Sequence, residues 1–142
     1  IGWIKANCEI IKMINDRRDY HIISTGYIND YLATIVVENY DKILKRSRKI
    51  IETNRQILID WLEKEPLVDC VVPKVGTIAF LKHKLPIKSK ELCIELQKDT
   101  GVFFVPGACF NQEYHLRFGF ANNSKDIKIG LELFSKWLHK DD

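Results

Sequence analysis

The sequence predicts an α+β fold: a small, largely antiparallel sheet covered on one face by helices, with a long domain-bridging helix leading into it. Three observations predict this. Between Asp41 and Lys64 apolar residues recur as Ile43/Leu44, Ile50/Ile51, Ile57/Leu58 and Trp61/Leu62, which places them on one face of a helix. Beyond it, short runs rich in β-branched and apolar residues are punctuated by Pro73, Gly76 and Pro106-Gly107. The order that results is strand, three helices, two strands, helix, two strands, helix, and it suits helices laid on one side of an antiparallel sheet.

Each element has a local cause. Residues 1 to 5 are expected as a short strand. Asn7 can cap a helix over 8–19, with Ile10, Ile11 and Ile14 as its buried stripe. Asp19 to Tyr27 has no period and contains Ser24, Thr25 and Gly26, so it is a connection before a second helix over 28–38. The long helix covers 41–64, about 35 Å at 1.5 Å per residue, and Pro66 forbids its continuation. Val68 to Val72 and Thr77 to Lys82 are the next strands. Ser89 caps a helix over 90–98 that Gly101 ends. Val102 to Val105 and Tyr114 to Phe120 are strands. The last helix runs from Ser124 to His139, with Ile127, Gly130, Leu131, Phe134, Trp137 and Leu138 facing inward.

Composition excludes several function classes. The 142 residues carry a net charge of only +3, too weak to argue for nucleic acid. No apolar run approaches the ~20 residues of a membrane helix, and no basic-then-apolar leader opens the chain. It starts at Ile1 without Met, which suggests a piece of a larger protein. Cys8, Cys70, Cys93 and Cys109 form no C-x-x-C pair, so they are expected as buried free thiols of a cytosolic protein and metal has no support. His21, His83, His115 and His139 have no metal-ligand spacing and pair with no obvious nucleophile. The basic run Lys42, Lys45, Arg46, Arg48, Lys49 suits a solvated helix face better than a phosphate site.

Tyr114 to Phe120 is the most informative strand. Side chains alternate faces, so Tyr114, Leu116, Phe118 and Phe120 share the core face while His115, Arg117 and Gly119 share the other. Arg117 therefore projects away from the core beside a residue without a side chain. It is either a solvent-facing arginine or a group that grips a carboxylate with two parallel hydrogen bonds. Pro106-Gly107 and Gly76-Thr77 are either plain turns or places where backbone approaches a ligand.

In this order the residues resemble the C-terminal part of the class I/II aminotransferases, the fold-type-I pyridoxal-phosphate (PLP) enzymes. Ile1-Gly2-Trp3 is similar to the end of the family's S-K-x-x-x-x-G-x-R-x-G motif and the aromatic residue that follows it. Gly76-Thr77-Ile78-Ala79-Phe80 resembles the family's glycine-led strand. Gly101-Val102 through Val105-Pro106-Gly107-Ala108-Cys109-Phe110, and on to His115-Leu116-Arg117-Phe118-Gly119-Phe120-Ala121, resembles G-V-x-x-x-P-G-x-x-F followed by an R-x-x-x-A strand. One decoy is dismissed. Ser124-Lys125-Asp126-Ile127-Lys128-Ile129-Gly130 fits S-K-x-x-x-x-G, but Glu132 stands where the arginine belongs and the segment has a helical period, so Asn123 or Ser124 is a cap.

The resemblance implies the small C-terminal domain (41–142, with the bridging helix 41–64) preceded by the end of the large-domain and linker region (1–40). It implies a cytoplasmic PLP-dependent aminotransferase, a homodimer acting on an amino acid and a 2-oxo acid, with no nucleic acid or membrane partner. Arg117 would bind the substrate α-carboxylate, with Gly76 and Thr77 nearby. No catalytic residue lies in this chain, because the Schiff-base lysine and most cofactor ligands are upstream, so the chain alone is expected to be inactive. The segment at Ser24 and Thr25 resembles the one that approaches the partner subunit's site. A β-lyase, a decarboxylase or a non-catalytic binding module remain as alternatives.

Overall fold

Burial alternates along two strands, and that alternation decides where the core lies. In the computed structural model, which describes residues 1–140, β2 (Ile78–His83) buries Ala79, Leu81 and His83, while β4 (His115–Gly119) buries Leu116 and Phe118. The antiparallel register sets Ala79 opposite Phe118 and Leu81 opposite Leu116, so apolar side chains of both strands meet on one face. β1 (Val68–Cys70) pairs with the outer edge of β2, and β3 (Val105–Pro106) pairs with that of β4. The sheet order is β1-β2-β4-β3, antiparallel throughout.

Chain contacts divide the molecule into two units, Ile1–Lys45 and Arg46–Asp142. The first holds α1 (Cys8–Arg18) and α2 (Tyr27–Glu38), neither of which buries a residue. α3 (Tyr40–Leu62) crosses the division in sequence, and its buried residues, Asn54 and Leu58, belong to the second unit. There α4 (Ser89–Thr100) and α5 (Ser124–Leu138) contribute Leu92, Leu96, Ile127, Leu131 and Phe134 to the core under the sheet. Phe134 meets the ring of Phe104 at 5.0 Å and that of Trp61 at 5.9 Å. Burying each such side chain stabilises the fold by roughly 1.5–3 kcal/mol.

A polar network fastens the end of α3 to α5. Trp61 Nε1 donates to Ser135 Oγ at 2.8 Å, and Ser135 donates to Glu65 Oε2 at 2.5 Å. His139 Nε2 donates to Glu65 Oε1 at 3.0 Å. Glu65 is a carboxylate with only 3% exposure, and a buried carboxylate is tolerated only with its oxygens bonded in this way.

Several expectations are corrected. Residues 1–5 form no strand and are exposed, because no described strand offers them a ladder and an unpaired strand leaves its backbone groups to water. Asn7 does cap α1, accepting from the Ile10 N–H at 2.9 Å, yet Ile10 is exposed and Ile11 and Ile14 are only half-buried. The strand expected over 68–72 stops at Cys70, with Val71 95% exposed, and that over 102–105 shrinks to Val105–Pro106. Tyr114 lies outside β4 and is 44% exposed, because a φ of 62° breaks the alternation before the strand begins. Gly130 faces open space rather than the core. All four cysteines are free, but Cys8 and Cys109 are exposed and Cys70 is half-buried, so only Cys93 is a buried thiol. The α5 cap is Asn123, which accepts from the Lys125 N–H.

Gly107 opens a 3-10 turn, Gly107–Phe110, and is fixed by sterics. A Cβ there would collide with the Gln112 carbonyl oxygen and stand 2.6 Å from the His115 carbonyl oxygen and 2.8 Å from His115 Cβ. Backbone on two sides cannot swing away as a flexible side chain can. Gly107→Ala is therefore expected to cost about 1–3 kcal/mol, measured as a fall in Tm by circular dichroism. An unchanged Tm would show that the loop yields.

Candidate functional site

The outer face of the sheet follows from the same register. Arg117 lies between Phe80 of β2 and Val105 of β3, Gly119 is opposite Ile78, and His115 is opposite Lys82. Directly opposed residues in an antiparallel pair share a face. Arg117, His115, Phe80, Ile78, Lys82 and Val105 therefore form one surface that no helix of the second unit's core covers, with Gly119 as a gap in it. A Cβ at Gly119 would meet nothing within 4 Å.

Arg117 is half-buried, and its guanidinium makes no hydrogen bond or ion pair among the described residues. The charged groups at these positions are Lys82 and Arg117, with no carboxylate among them. The guanidinium fork is planar, always charged and shaped for two parallel hydrogen bonds to a carboxylate. Arg117 is thus held on a rigid strand with its donors open.

Aromatic rings wall the site. His115 stacks on Phe80 with centroids 5.0 Å apart and planes inclined by 15°, and Phe110 meets Phe80 edge-on at 6.0 Å. His115 Nδ1 lies 2.8 Å from the Glu113 carbonyl oxygen. That oxygen can only accept, so Nδ1 carries a proton and donates to it. The face shared by His115 and Arg117 was legible in the strand alternation. The stack on Phe80 was not, because it depends on the pairing of two strands far apart in sequence.

The remaining sequence candidates fall elsewhere. Gly76 takes a φ of 95°, which favours glycine. The Thr77 carbonyl accepts from the Phe120 N–H at 2.9 Å, which sets both residues at the sheet end nearest Gly119. Thr77 is exposed in the bend that precedes β2. Pro106-Gly107 is closed by packing rather than open to a ligand. Lys42, Lys45, Arg46, Arg48 and Lys49 are all exposed along α3. Burial pushes the Cys93 thiol up to about 11, with Cys109 adding to the effect, and burial also raises Cys70, so neither is a thiolate at neutral pH. Among the described residues no group of three His, Cys, Asp or Glu side chains is placed to hold a metal ion. No helix is long and apolar enough to cross a membrane.

A cleft of about 450 Å³ between the end of α4 and α5 is lined by Gly101, Phe103, Phe118, Asp126 and Gly130 among others, and Arg117 is not part of it. Every lysine of the described residues is exposed.

Comparison with known proteins gives a consistent result. A family model described as aminotransferase class I and II matches residues 1–133. A PLP-dependent aminotransferase from Streptococcus suis is 35% identical with a TM-score of 0.95, over 99% of this chain and 38% of that one. Capreomycidine synthase of Streptomyces vinaceus is 27% identical over 97% of this chain and 36% of its own length. An archaeal alanine:glyoxylate aminotransferase shares the fold at 22% identity and a TM-score of 0.86, over 100% of this chain and 37% of its own. The chain thus spans little more than a third of the length of these three relatives.

A group held open for a ligand contributes little to folding. Arg117→Ala is expected to change stability by no more than about 0.5 kcal/mol, as for a surface site without partners, with denaturant unfolding as the measure. A larger loss would assign Arg117 a structural role.

Proposed function

The chain belongs to the class I and II aminotransferase family, and we propose that it supplies the part of an amino-acid site that grips the substrate α-carboxylate, with Arg117 as the gripping group. The single observation that supports this is the unpaired guanidinium on an open, carboxylate-free sheet face. Enzymes of this family use pyridoxal phosphate, which when bound supplies the electron sink for carbanion chemistry at the substrate Cα. On this reading its lysine and most of its ligands belong to a part of the full-length protein that this chain does not span.

The work of these residues is positional. Two parallel hydrogen bonds from Arg117 fix both the place and the plane of the carboxylate, and so the direction of the Cα–H bond that breaks. The rings of Phe80 and His115 beside it exclude water from one side, which strengthens the ion pair. Gly76 and Thr77 contribute backbone at the sheet end next to Gly119, where a side chain would intrude. Residues 41–142 are the small domain, 1–40 the end of the large-domain and linker region, and helix 41–64 the bridge. The full-length protein acts as a homodimer, converting an amino acid and a 2-oxo acid into their exchanged partners.

A second reading rests on a specific relative. Capreomycidine synthase carries a synthase's name, and a PLP-dependent cyclase shares the fold at 21% identity. A carboxylate-gripping arginine serves such chemistry equally well. Product analysis separates the two: a 2-oxo acid with transfer of the amino group supports transamination, whereas a product that keeps its nitrogen supports the second reading.

Arg117→Lys in the full-length protein keeps the charge and loses the fork. Hydrogen bonds to charged groups contribute ~1.5–3 kcal/mol, so kcat/KM should fall about 10- to 100-fold, with the cofactor absorption spectrum unchanged. Undiminished kcat/KM would remove Arg117 from the site.

A further inference from the structure

The turn that leads into β4 is held in an unusual way. Asn111, the C-cap of the 3-10 turn, and Tyr114 both adopt left-handed backbone conformations, with φ of 56° and 62°; asparagine does so readily, but a tyrosine does so only when its surroundings enforce it. Two groups do the enforcing. The Glu113 carboxylate sits at the N-terminal end of α4, where its Oε1 accepts from the Ser89 N–H at 2.6 Å and the Tyr114 N–H at 3.3 Å. The Ser89 hydroxyl accepts from the Ala108 N–H at 3.1 Å. Ser89 is thus not the cap that its sequence position suggests. It is the first residue of the helix, fully buried, and Glu113 from 24 residues away caps it.

The second group is His83. Its N–H donates to the Tyr114 carbonyl at 3.0 Å, and its ring packs edge-on against the Tyr114 ring at 5.8 Å. His83 is 2% exposed, and both ring nitrogens are buried without a hydrogen-bond partner. The Leu85 carbonyl lies nearby but outside hydrogen-bonding geometry. A buried imidazole without partners is stable only while neutral. The anion that acts on His83 is the Glu113 carboxylate, already engaged by α4.

We propose that these groups form an acid-sensitive latch on the entrance to β4, in which protonation of His83 draws the Glu113 carboxylate off the end of α4 and releases the Asn111–Tyr114 turn. The charges acting on His83 fit this. Burial chiefly holds its proton affinity down, the Glu113 carboxylate opposes, and His115 on β4 adds to the depression. β1 lays Val68 opposite His83, and the next residue, Asp69, is paired with Lys84 at 3.2 Å. α4 turns Ser89 and the Cys93 thiol inward rather than a charge. Hydrogen bonds from Ser89 hold the Glu113 carboxyl below its usual range, so it stays ionised while His83 takes its proton. A group with depressed folded-state affinity contributes stability that is present above its unfolded value, near 6.5, and is lost as pH falls below that. Mild acid therefore opens the latch at the start of the strand that carries Arg117. The device does not depend on what Arg117 binds.

Amide hydrogen exchange on the 142-residue chain tests it. Protection factors, corrected for intrinsic exchange, are followed from about pH 7.5 to about pH 5, the range in which histidine titrates. The Ser89, Ala108 and Tyr114 amides should lose up to tenfold in protection per pH unit, the limit for one coupled proton, while amides in the middle of α5 hold theirs. His83→Leu should abolish the pH dependence. Should that variant fail to fold, Glu113→Gln gives the second reading: these amides then exchange fast already at neutral pH, with a flat profile. The latch is overturned if wild-type protection is flat with pH, or if His83→Leu or Glu113→Gln retains the full response.

Discussion

The buried amide of Asn54 is the constraint on which the sheet depends. Its Nδ2 donates to two carbonyls at once, those of Phe120 and Asn122, each at 2.7 Å. Asn54 is fully buried in α3, and both acceptors lie just past the end of β4. Without it the carbonyl of fully buried Phe120 would lose its partner where water cannot replace it, at about 1–3 kcal/mol for a buried group. The amide ties the longest helix to the central strand and fixes where α5 begins. β4 cannot slide relative to the core, so Arg117, three residues before Phe120, is held at a defined height on the sheet.

That fixity on one side is matched by openness on the other. The core face of the second unit is closed by α4, α5 and the last turns of α3 around Phe104, Phe134 and Leu58. The outer face keeps Arg117 without a partner and presents Phe110 and Ile78 at 48% and 42% exposure. A strand so placed is a rigid support for a recognition group, because its inward neighbours Leu116 and Phe118 are packed while the outward ones remain available. In the first unit, by contrast, Tyr20, Ile23, Tyr27 and Ile28 are each more than 70% exposed, an apolar surface larger than solvent contact favours.

The sequence departs from the structure wherever a partner distant in the chain decided the matter. Ser89 has the chemistry of a cap, but Glu113 supplies a stronger one, and nothing local in the sequence signals that pairing. Tyr114 fits the apolar alternation of the strand, but the Glu113 clamp and His83 hold it in a left-handed turn instead. Ile10, Ile11 and Ile14 have helical spacing, and the helix forms with its expected cap, but no core receives them. Asn54 lies on the apolar side of α3 and looks like an interruption of it. It is the polar residue that this face requires, because two carbonyls end there.

Sequence alone determined the five helices, the approximate places of the sheet strands and the face on which Arg117 stands. Helical period, strand alternation, the stops at Pro66 and Gly101 and the cap at Asn7 are all local, acting within a turn or a pleat. Motif order, also written in the chain, pointed to the family. Only the tertiary structure decided which strands pair, that Arg117 lies between Phe80 and Val105 without a carboxylate beside it, and that His83 is buried without a hydrogen bond. These depend on contacts between residues tens of positions apart, and the energy of such a contact exists only once the sheet has brought both ends together.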